Sequence, residues 1–412
     1  MPSLRPVSPR TSLLSFLILA GCASTPTLPI DQQRSAAATP ECPACPTCPG
    51  QPEQPKPKVE PFQPAAWSEV TGWNEDTISE SWNAFSASCR AMKNADWKPV
   101  CDAARALGAK PDDATIRTFF ESQTQVWRVT NPDGGTEGLI TGYYEPLIKG
   151  SRTRSKQYTT PVYAVPDDLL VIDLGDQYPE LKGMRLRGRV EGRKVIPYYS
   201  RAQLDSRGDK LADKVLLWAA DPIDFFFLQI QGSGQVQLAD GSRVRIAYAD
   251  QTGHPYKAIG RWLIDSGELK PEQAGMDGIK GWAKAHPDRL NEMLDTNPSY
   301  VFFKEQAASN DGPNGALGVP LSAGRSVAID PRTLPLGAPI FLSTNWPNSD
   351  KPLNRLMLAQ DTGGAIRGAV RADFYWGFGP DAGSRAGSMR QKGHMWLLWP
   401  RGSTPPGAKA PG

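Results

Sequence analysis

The sequence predicts a mainly β protein with its helices gathered near the N-terminus. Three observations carry that class. Apolar residues recur at helical spacing between Ile78 and Val126. From Trp127 to Pro400 strand and turn signals dominate, broken by one helical patch over 256–294. After Ser326, several short strands separated by Gly- and Pro-rich turns predict a small closed barrel.

The chain has 412 residues, enough for two ordinary domains and a tail, and its net charge of +3 gives no reason to expect a nucleic-acid partner. It opens as a secretion signal: Arg5 and Arg10 supply the positive region and residues 13–20 an apolar run too short to span a bilayer. Leu19, Ala20, Gly21 and Cys22 have the form of a bacterial lipobox. Removal of residues 1–21 leaves Cys22 as the lipid-bearing N-terminus, and several acyl chains give the stable attachment one chain cannot. Ala23 rather than Asp after this lipobox resembles the pattern of outer-membrane anchors, so an outer-membrane lipoprotein facing the periplasm is expected. An ordinary signal peptide with a chance cysteine is the competing reading.

Cysteines 42, 45 and 48 repeat every third residue, as do prolines 40, 43, 46, 49, 52 and 55. Polyproline II has three residues per turn, so each set shares a face. A zinc site over the cysteines lacks a fourth ligand. A stiff spacer fits better, reaching on the order of 75 Å between Pro40 and Pro64. In an oxidising periplasm Cys89 and Cys101 can pair and staple two helices.

Folded sequence is expected from about Trp67. Ile78, Trp82, Phe85, Cys89 and Met92 share one helical face, a second helix carries Cys101, Ala104 and Leu107, and a third runs through Ile116, Phe119, Phe120 and Val126. In 138–146, Gly142 lies among Thr141, Tyr143 and Tyr144, a backbone and aromatic surface suited to sugars. A strand with core tyrosines is the alternative. Strands are expected over 159–165 and 195–199. The run 224–234 reads as a strand whose alternation puts Gln229 and Gln231 on one face, lining a cleft or a solvated sheet. Its Gly232, Ser233 and Gly234 form no phosphate loop, because Lys is missing. The last segment reads as strand and turn throughout: strands over 326–330, 338–342, 356–360, 370–376 and 394–399, with a Pro–Gly turn over 331–337. Asp361 closes one apolar run and Asp373 precedes Phe374, Tyr375 and Trp376. Asp is a poor strand former, so each either binds turn amides or does chemistry.

These contexts resemble the membrane-bound lytic murein transglycosylase A family. The resemblance rests on 327–331 with 335–337, on 360–368, on 373–380, and on Arg385, Ala386 and Gly387. Upstream, 141–146, 229–234 and 297–303 match as well, so it spans about 67–400. It implies a double-psi β-barrel domain plus an inserted β-rich domain, with a groove between them. The corresponding divisions are 67–146 plus 305–400 for the barrel and 147–304 for the insert. Residues 1–21 are signal, 22–66 a lipidated linker and 401–412 a tail.

The resemblance also implies cleavage of the β-1,4 bond between N-acetylmuramic acid and N-acetylglucosamine without water, leaving a 1,6-anhydro-muramyl end. Asp373, Asp361 and Asp330 are the candidates for the catalytic centre, with Asp373 as acid and then base and the other two in support. Thr141, Gly142, Tyr143, Tyr144, Glu145, Gln229, Gln231, Gly232, Ser233, Arg385 and Ala386 are the expected substrate contacts. The partner is the peptidoglycan glycan strand. No metal or other cofactor enters the scheme, and His254, His286 and His394 are scattered. A hydrolase using Asp361 and Asp373 as a pair, or a non-catalytic wall-binding lipoprotein, are the alternatives. Preference for chain ends or interiors is not written in these motifs.

Overall fold

The computed structural model describes residues 59–181, 184–307, 309 and 311–408. Cys22, cysteines 42, 45 and 48, and the proline repeat up to residue 58 lie outside the described residues. Strand β1 (Phe62–Ala65) already precedes Trp67, so the folded chain begins earlier than the sequence suggests. Pro64 is therefore part of a strand and not of a spacer.

Three helices follow: α1 (Trp82–Ala91), α2 (Trp97–Ala106) and α3 (Asp113–Gln123). The Asp112 carboxylate accepts from the Thr115 amide at 2.8 Å and caps α3. The third helix ends before Val126, which lies in β2 (Thr124–Val129). Trp82, Phe85, Trp97, Phe119 and Phe120 are buried in one core shared with the barrel. Cys89 and Cys101 are disulfide-bonded and join α1 to α2. Reducing this bond, or replacing both cysteines by Ala, is expected to cost about 3 kcal/mol, the loop-closure value for a separation of 12 residues. Urea unfolding with and without reductant measures it; coincident curves would contradict a stapling role.

After β3 (Gly138–Glu145) the chain enters a second module. Its strands begin with β4 (Leu147–Ser151), β5 (Thr160–Tyr163), β6 (Leu170–Ile172), β7 (Leu186–Glu191) and β8 (Lys194–Pro197). Then come α4 (Arg201–Asp205), β9 (Val215–Ala219), α5 (Pro222–Gln231), β10 (Ser233–Leu238) and β11 (Arg243–Gln251). The expected helical patch is α6 (Ile259–Asp265), α7 (Met276–Ala285) and α8 (Leu290–Asp295), and β12 (Val301–Ala307) leads back. The return segment holds β13 (Ser326–Ile329), β14 (Pro339–Asn345), β15 (Pro352–Thr362), β16 (Arg371–Phe378), α9 (Pro380–Ser388) and β17 (Arg390–Pro400).

Two elements differ from the sequence reading. Residues 224–231 form helix α5 and not a strand. A continuous apolar run does not distinguish helix from strand; the caps do. Asp221 accepts from the Ile223 amide at 2.8 Å, Pro222 opens the helix, and Gly232 closes it at φ 81°, a conformation glycine tolerates. Phe225 and Leu228 enter one core of the module, and Ile223, Phe226 and Phe227 the other. The second difference is α9, in a segment read as strand and turn. Its two glycines and two serines lower its helix propensity, while its alanines favour a helix. Packing of Ala382 and Ala386 against Tyr144 holds it in place.

The main sheet runs β1-β2-β17-β14-β15-β13-β16-β3, and an added β17–β3 pairing closes six of these strands into the double-psi barrel. β13–β15 and β16–β3 are parallel. The second module carries a sheet in the order β12-β11-β10-β4-β9-β5 and a three-stranded meander, β6-β7-β8. The protein is thus mainly β, with N-terminal helices capping a barrel and a second β-rich module inserted between β3 and β13.

Candidate active site

Strand β13 organises the site. Its Ala328 pairs with Asp361 of β15 on one side and with Asp373 of β16 on the other. The two acids are therefore two strand spacings apart, roughly 9.5 Å between Cα atoms. Strand β3 lies beyond β16 and sets Thr141 beside Asp373 and Tyr143 beside Tyr375. Tyr143, Tyr375, Ala328, Leu321 and Ile366 form a small apolar cluster on this face, away from the barrel core.

Asp373 is packed among these groups yet keeps access to solvent. Burial pushes its carboxyl up to about 6. A hydrogen bond from Thr141 and the charge of Arg371 oppose the rise, and the Asp361 charge adds to it. The Thr141 hydroxyl donates to Asp373 Oδ1.

Asp361 is held differently. Its Oδ1 accepts from the Ala316 and Thr362 amides, each at 2.9 Å, and its Oδ2 accepts from the Tyr143 hydroxyl at 3.0 Å. Burial raises its carboxyl above the usual range, and these three donors oppose the rise. Arg185, from just before β7, also opposes it, so a positive charge of the second module faces this acid. With its oxygens committed to three donors, Asp361 ties the end of β15 to the 312–320 loop and holds the Tyr143 hydroxyl.

Asp330 is buried at the end of β13. Burial alone would raise it, but the Arg332 side chain and the Gly368 and Arg332 amides outweigh burial and lower it to about 2. Arg332 donates from Nε at 2.9 Å and Nη2 at 2.6 Å, and the Gly368 amide donates at 2.9 Å. Asp330 is thus a fixed carboxylate that ties the loop leading into β16.

The remaining expected contacts separate into groups. Thr141 and Tyr143 share the face of Asp373. Gly142 and Tyr144 point to the other side of β3, toward α9. A Cβ on Gly142 would sit 2.7 Å from Trp376 Nε1 and 2.9 Å from Ala386 Cα, so this glycine serves close packing and not an open sugar platform. Tyr144 and buried Ala386 line that packing. Arg385 is exposed, its guanidinium 5.6 Å from each of the Trp346 and Trp376 rings. Glu145 is buried against Arg245.

Gln229 and Gln231, expected to share a cleft-lining face, sit on helix α5 and do not. Gln229 is buried and accepts from Arg201 Nη2 at 2.6 Å. Gln231 accepts from the Tyr144 amide at 3.0 Å and joins the modules. Gly232 ends α5, and Ser233 begins β10 opposite Ala247. A cavity of about 950 Å³ lies between α9 and α7, lined by Tyr144, Asp224, Met276, Lys280, Gly383 and Ser384. It does not include Asp373.

Sequence reasoning missed Arg371, whose Nη2 donates to Thr141 Oγ1 at 2.9 Å. Its position two residues before Asp373 on one strand was the available signal. It also missed Gln360 as a structural pin: its amide donates to the Ala84 carbonyl at 2.8 Å and to Ser88 Oγ at 3.0 Å, fastening α1 to the barrel.

Comparison with known proteins bears on the family and the fold. Residues 139–304 match the model of the MltA specific insert domain, and residues 325–399 that of the 3D domain. A membrane-bound lytic murein transglycosylase A of Escherichia coli K12 is 34% identical over 310 residues, 73% of this chain and 74% of that one. The crystal structure of MltA from Neisseria gonorrhoeae, monoclinic form, matches with a TM-score of 0.72 at 37% identity, over 84% of this chain and 94% of that one. E. coli MltA with bound chitohexaose matches with a TM-score of 0.63 at 28% identity, over 86% and 99%. These matches over most of the chain, on a barrel carrying a second β-rich module, give the assignment: the chain belongs to the membrane-bound lytic murein transglycosylase A family.

Proposed function

We propose that this chain is a peptidoglycan lytic transglycosylase in which Asp373 is the single acid and base. The observation that carries the reading is the environment of Asp373: a solvent-accessible carboxyl held up to about 6 beside acids that are already committed elsewhere. Hydrolysis needs a second carboxylate to supply a nucleophile or to activate water. Asp361 and Asp330 are occupied by amides, Tyr143 and Arg332, so neither is free for that task.

The protonated Asp373 gives its proton to the glycosidic oxygen between N-acetylmuramic acid and N-acetylglucosamine. The C1–O bond breaks with its electron pair on the leaving oxygen. Positive charge develops at C1 and the ring oxygen, and the acetamido oxygen shares it. The ionised Asp373 then takes the proton from the O6 hydroxyl as O6 attacks C1, closing the 1,6-anhydro ring. Attack within one sugar carries a high effective molarity, so no water need be activated.

The acid form is required at the start. Its fraction is high below pH 6 and falls about tenfold per unit above it. The alkaline limb of kcat/KM on sacculi is expected near pH 6, following the raised carboxyl of Asp373. A rate that keeps rising to pH 8 would contradict the assignment.

The division into a barrel (67–146 with 305–400) and an inserted module (147–304) is part of this reading, with the glycan strand running between them. So is attachment through Cys22 to the outer membrane, with the catalytic part facing the periplasm. Radiolabelled palmitate is expected on the wild type and not on Cys22→Ser. Label on both would remove the anchor from the account.

A further inference from the structure

The parallel pairing of β16 with β3 sets Arg371 beside Leu139 and Asp373 beside Thr141. Residues two apart on a strand share a face, so Arg371 and Asp373 lie on one side of β16. One hydroxyl stands between the two charged groups. Arg371 Nη2 donates to Thr141 Oγ1 at 2.9 Å, and the Thr141 hydroxyl donates to Asp373 Oδ1. The guanidinium is itself fixed, donating from Nη1 to the Ala372 carbonyl at 2.6 Å and to the Leu139 carbonyl at 3.3 Å.

A threonine hydroxyl has a single proton to donate. Because its oxygen accepts from Arg371, that proton is turned toward Asp373. Oδ1 is then an acceptor in both protonation states of the carboxyl, which leaves Oδ2 to carry the acidic proton.

We propose that Arg371, acting through Thr141, is a positioning residue that assigns the transferable proton to Oδ2 of Asp373. This rests on the reading of Asp373 as acid and base. In the first step the Oδ2–H bond breaks and the proton goes to the glycosidic oxygen. The carboxylate left behind is held at Oδ1 by Thr141, with the guanidinium charge behind it. In the second step Oδ2 takes the O6 proton as the O6–C1 bond forms. Oδ2 ends protonated, so the cycle balances without an outside proton carrier.

Other groups face Asp373 as well. Asp361 on β15 opposes its ionisation, and Ala328 on β13 brings no charge. The Tyr143 phenol is pushed up by burial and by both aspartates, so it is neutral. Arg390 on β17 is the cross-strand neighbour of Thr141 and is exposed.

The test is a carbon-13 carboxyl titration of the free enzyme by NMR, with Asp373→Asn to assign the Asp373 signal. Wild type is compared with Arg371→Met, Thr141→Val and the double variant; Arg371→Lys and Thr141→Ser are the conservative controls. Loss of an opposite charge or of a donor to the carboxylate raises its midpoint, here by about one pH unit in each single variant. Thr141→Ser keeps the wild-type midpoint. In the Thr141→Val background, loss of Arg371 adds less than half its shift in the wild type. Kinetics on sacculi show a kcat reduced roughly tenfold in Arg371→Met, with the alkaline limb moved upward and KM unchanged. An unchanged midpoint overturns the proposal. So do equal shifts in both backgrounds, which mark a through-space charge effect, and a raised KM with an unmoved pH profile, which marks a substrate contact. If Arg371→Met does not fold, the Thr141→Val and Thr141→Ser pair decides alone: equal midpoints for the two overturn the relay. Retained turnover by Asp373→Asn sinks the underlying reading instead, whatever the titration shows.

Discussion

Asp373→Asn abolishes release of soluble fragments from murein sacculi, a fall of roughly 10³–10⁴-fold, because one side chain serves as both acid and base. Asn cannot donate an acidic proton or accept one from O6. The fold tolerates the change, and the sign of the pH effect shows why. The folded carboxyl lies near 6, above its ordinary value of 3.8. Its contribution to stability is present below 3.8 and is lost as pH rises through about 6, where the packed group must ionise. The Asn variant is spared that ionisation, so at pH 8 it is at least as stable as the wild type. An inactive and undiminished fold, seen by urea unfolding, separates a chemical role from a structural one. Asp361→Asn is the companion measurement. Its carbonyl still accepts from the backbone amides, so turnover falls about tenfold or less, the worth of one weakened hydrogen bond. Equal and complete loss in both variants would favour the paired-carboxylate hydrolase.

Arg245→Met is expected to cost about 3–5 kcal/mol, the effect of leaving a buried charge without its partner. The side chains of Arg245 and Glu145 are 4% and 1% exposed. Arg245 donates to both Glu145 oxygens, at 2.6 and 3.1 Å, and to the carbonyls of Ser309 at 3.3 Å and Asp311 at 2.6 Å. Glu145 ends β3 where the chain leaves the barrel, and Ser309 and Asp311 lie where it returns. One guanidinium thus fastens both crossings between barrel and inserted module. The double variant Glu145→Leu, Arg245→Met removes the stranded charge and is expected to recover part of the loss. Equilibrium urea unfolding of the wild type, the singles Arg245→Met and Glu145→Leu, and the double variant at pH 7 measures the coupling. A small loss in the single variant, or a double loss equal to the sum of both singles, would contradict it.

Much of this architecture could be read from local pattern, because the deciding contacts are close in sequence. The apolar stripe through Trp82 and Phe85 forms α1, and the run of Ser326, Val327, Ala328 and Ile329 is a fully buried strand, as its apolar character requires. The pairing of Cys89 with Cys101 agrees with two neighbouring helices. Helix α5 was misread because Phe225, Phe226 and Phe227 are buried whichever element they form; only Asp221 and Gly232 at its ends distinguish the two. Helix α9 depends on Tyr144, more than two hundred residues away, and its local signals, Pro380 at the start with Asp381 in the first turn, are weak against its glycines. The site divides in the same way. Asp373 stood out as an acid in strand-like aromatic sequence. Its tie to Thr141 spans 232 positions and follows only from the parallel β3–β16 pair. Gln229 and Gln231 lost the face they were expected to share once their strand became a helix.

The most direct test of a single-carboxylate transglycosylase is mass analysis of the muropeptides released from purified sacculi by the wild-type protein. The account predicts fragments ending in 1,6-anhydro-muramic acid, each lighter by one water than the hydrolytic product. Fragments ending in reducing muramic acid would contradict it and make the enzyme a hydrolase.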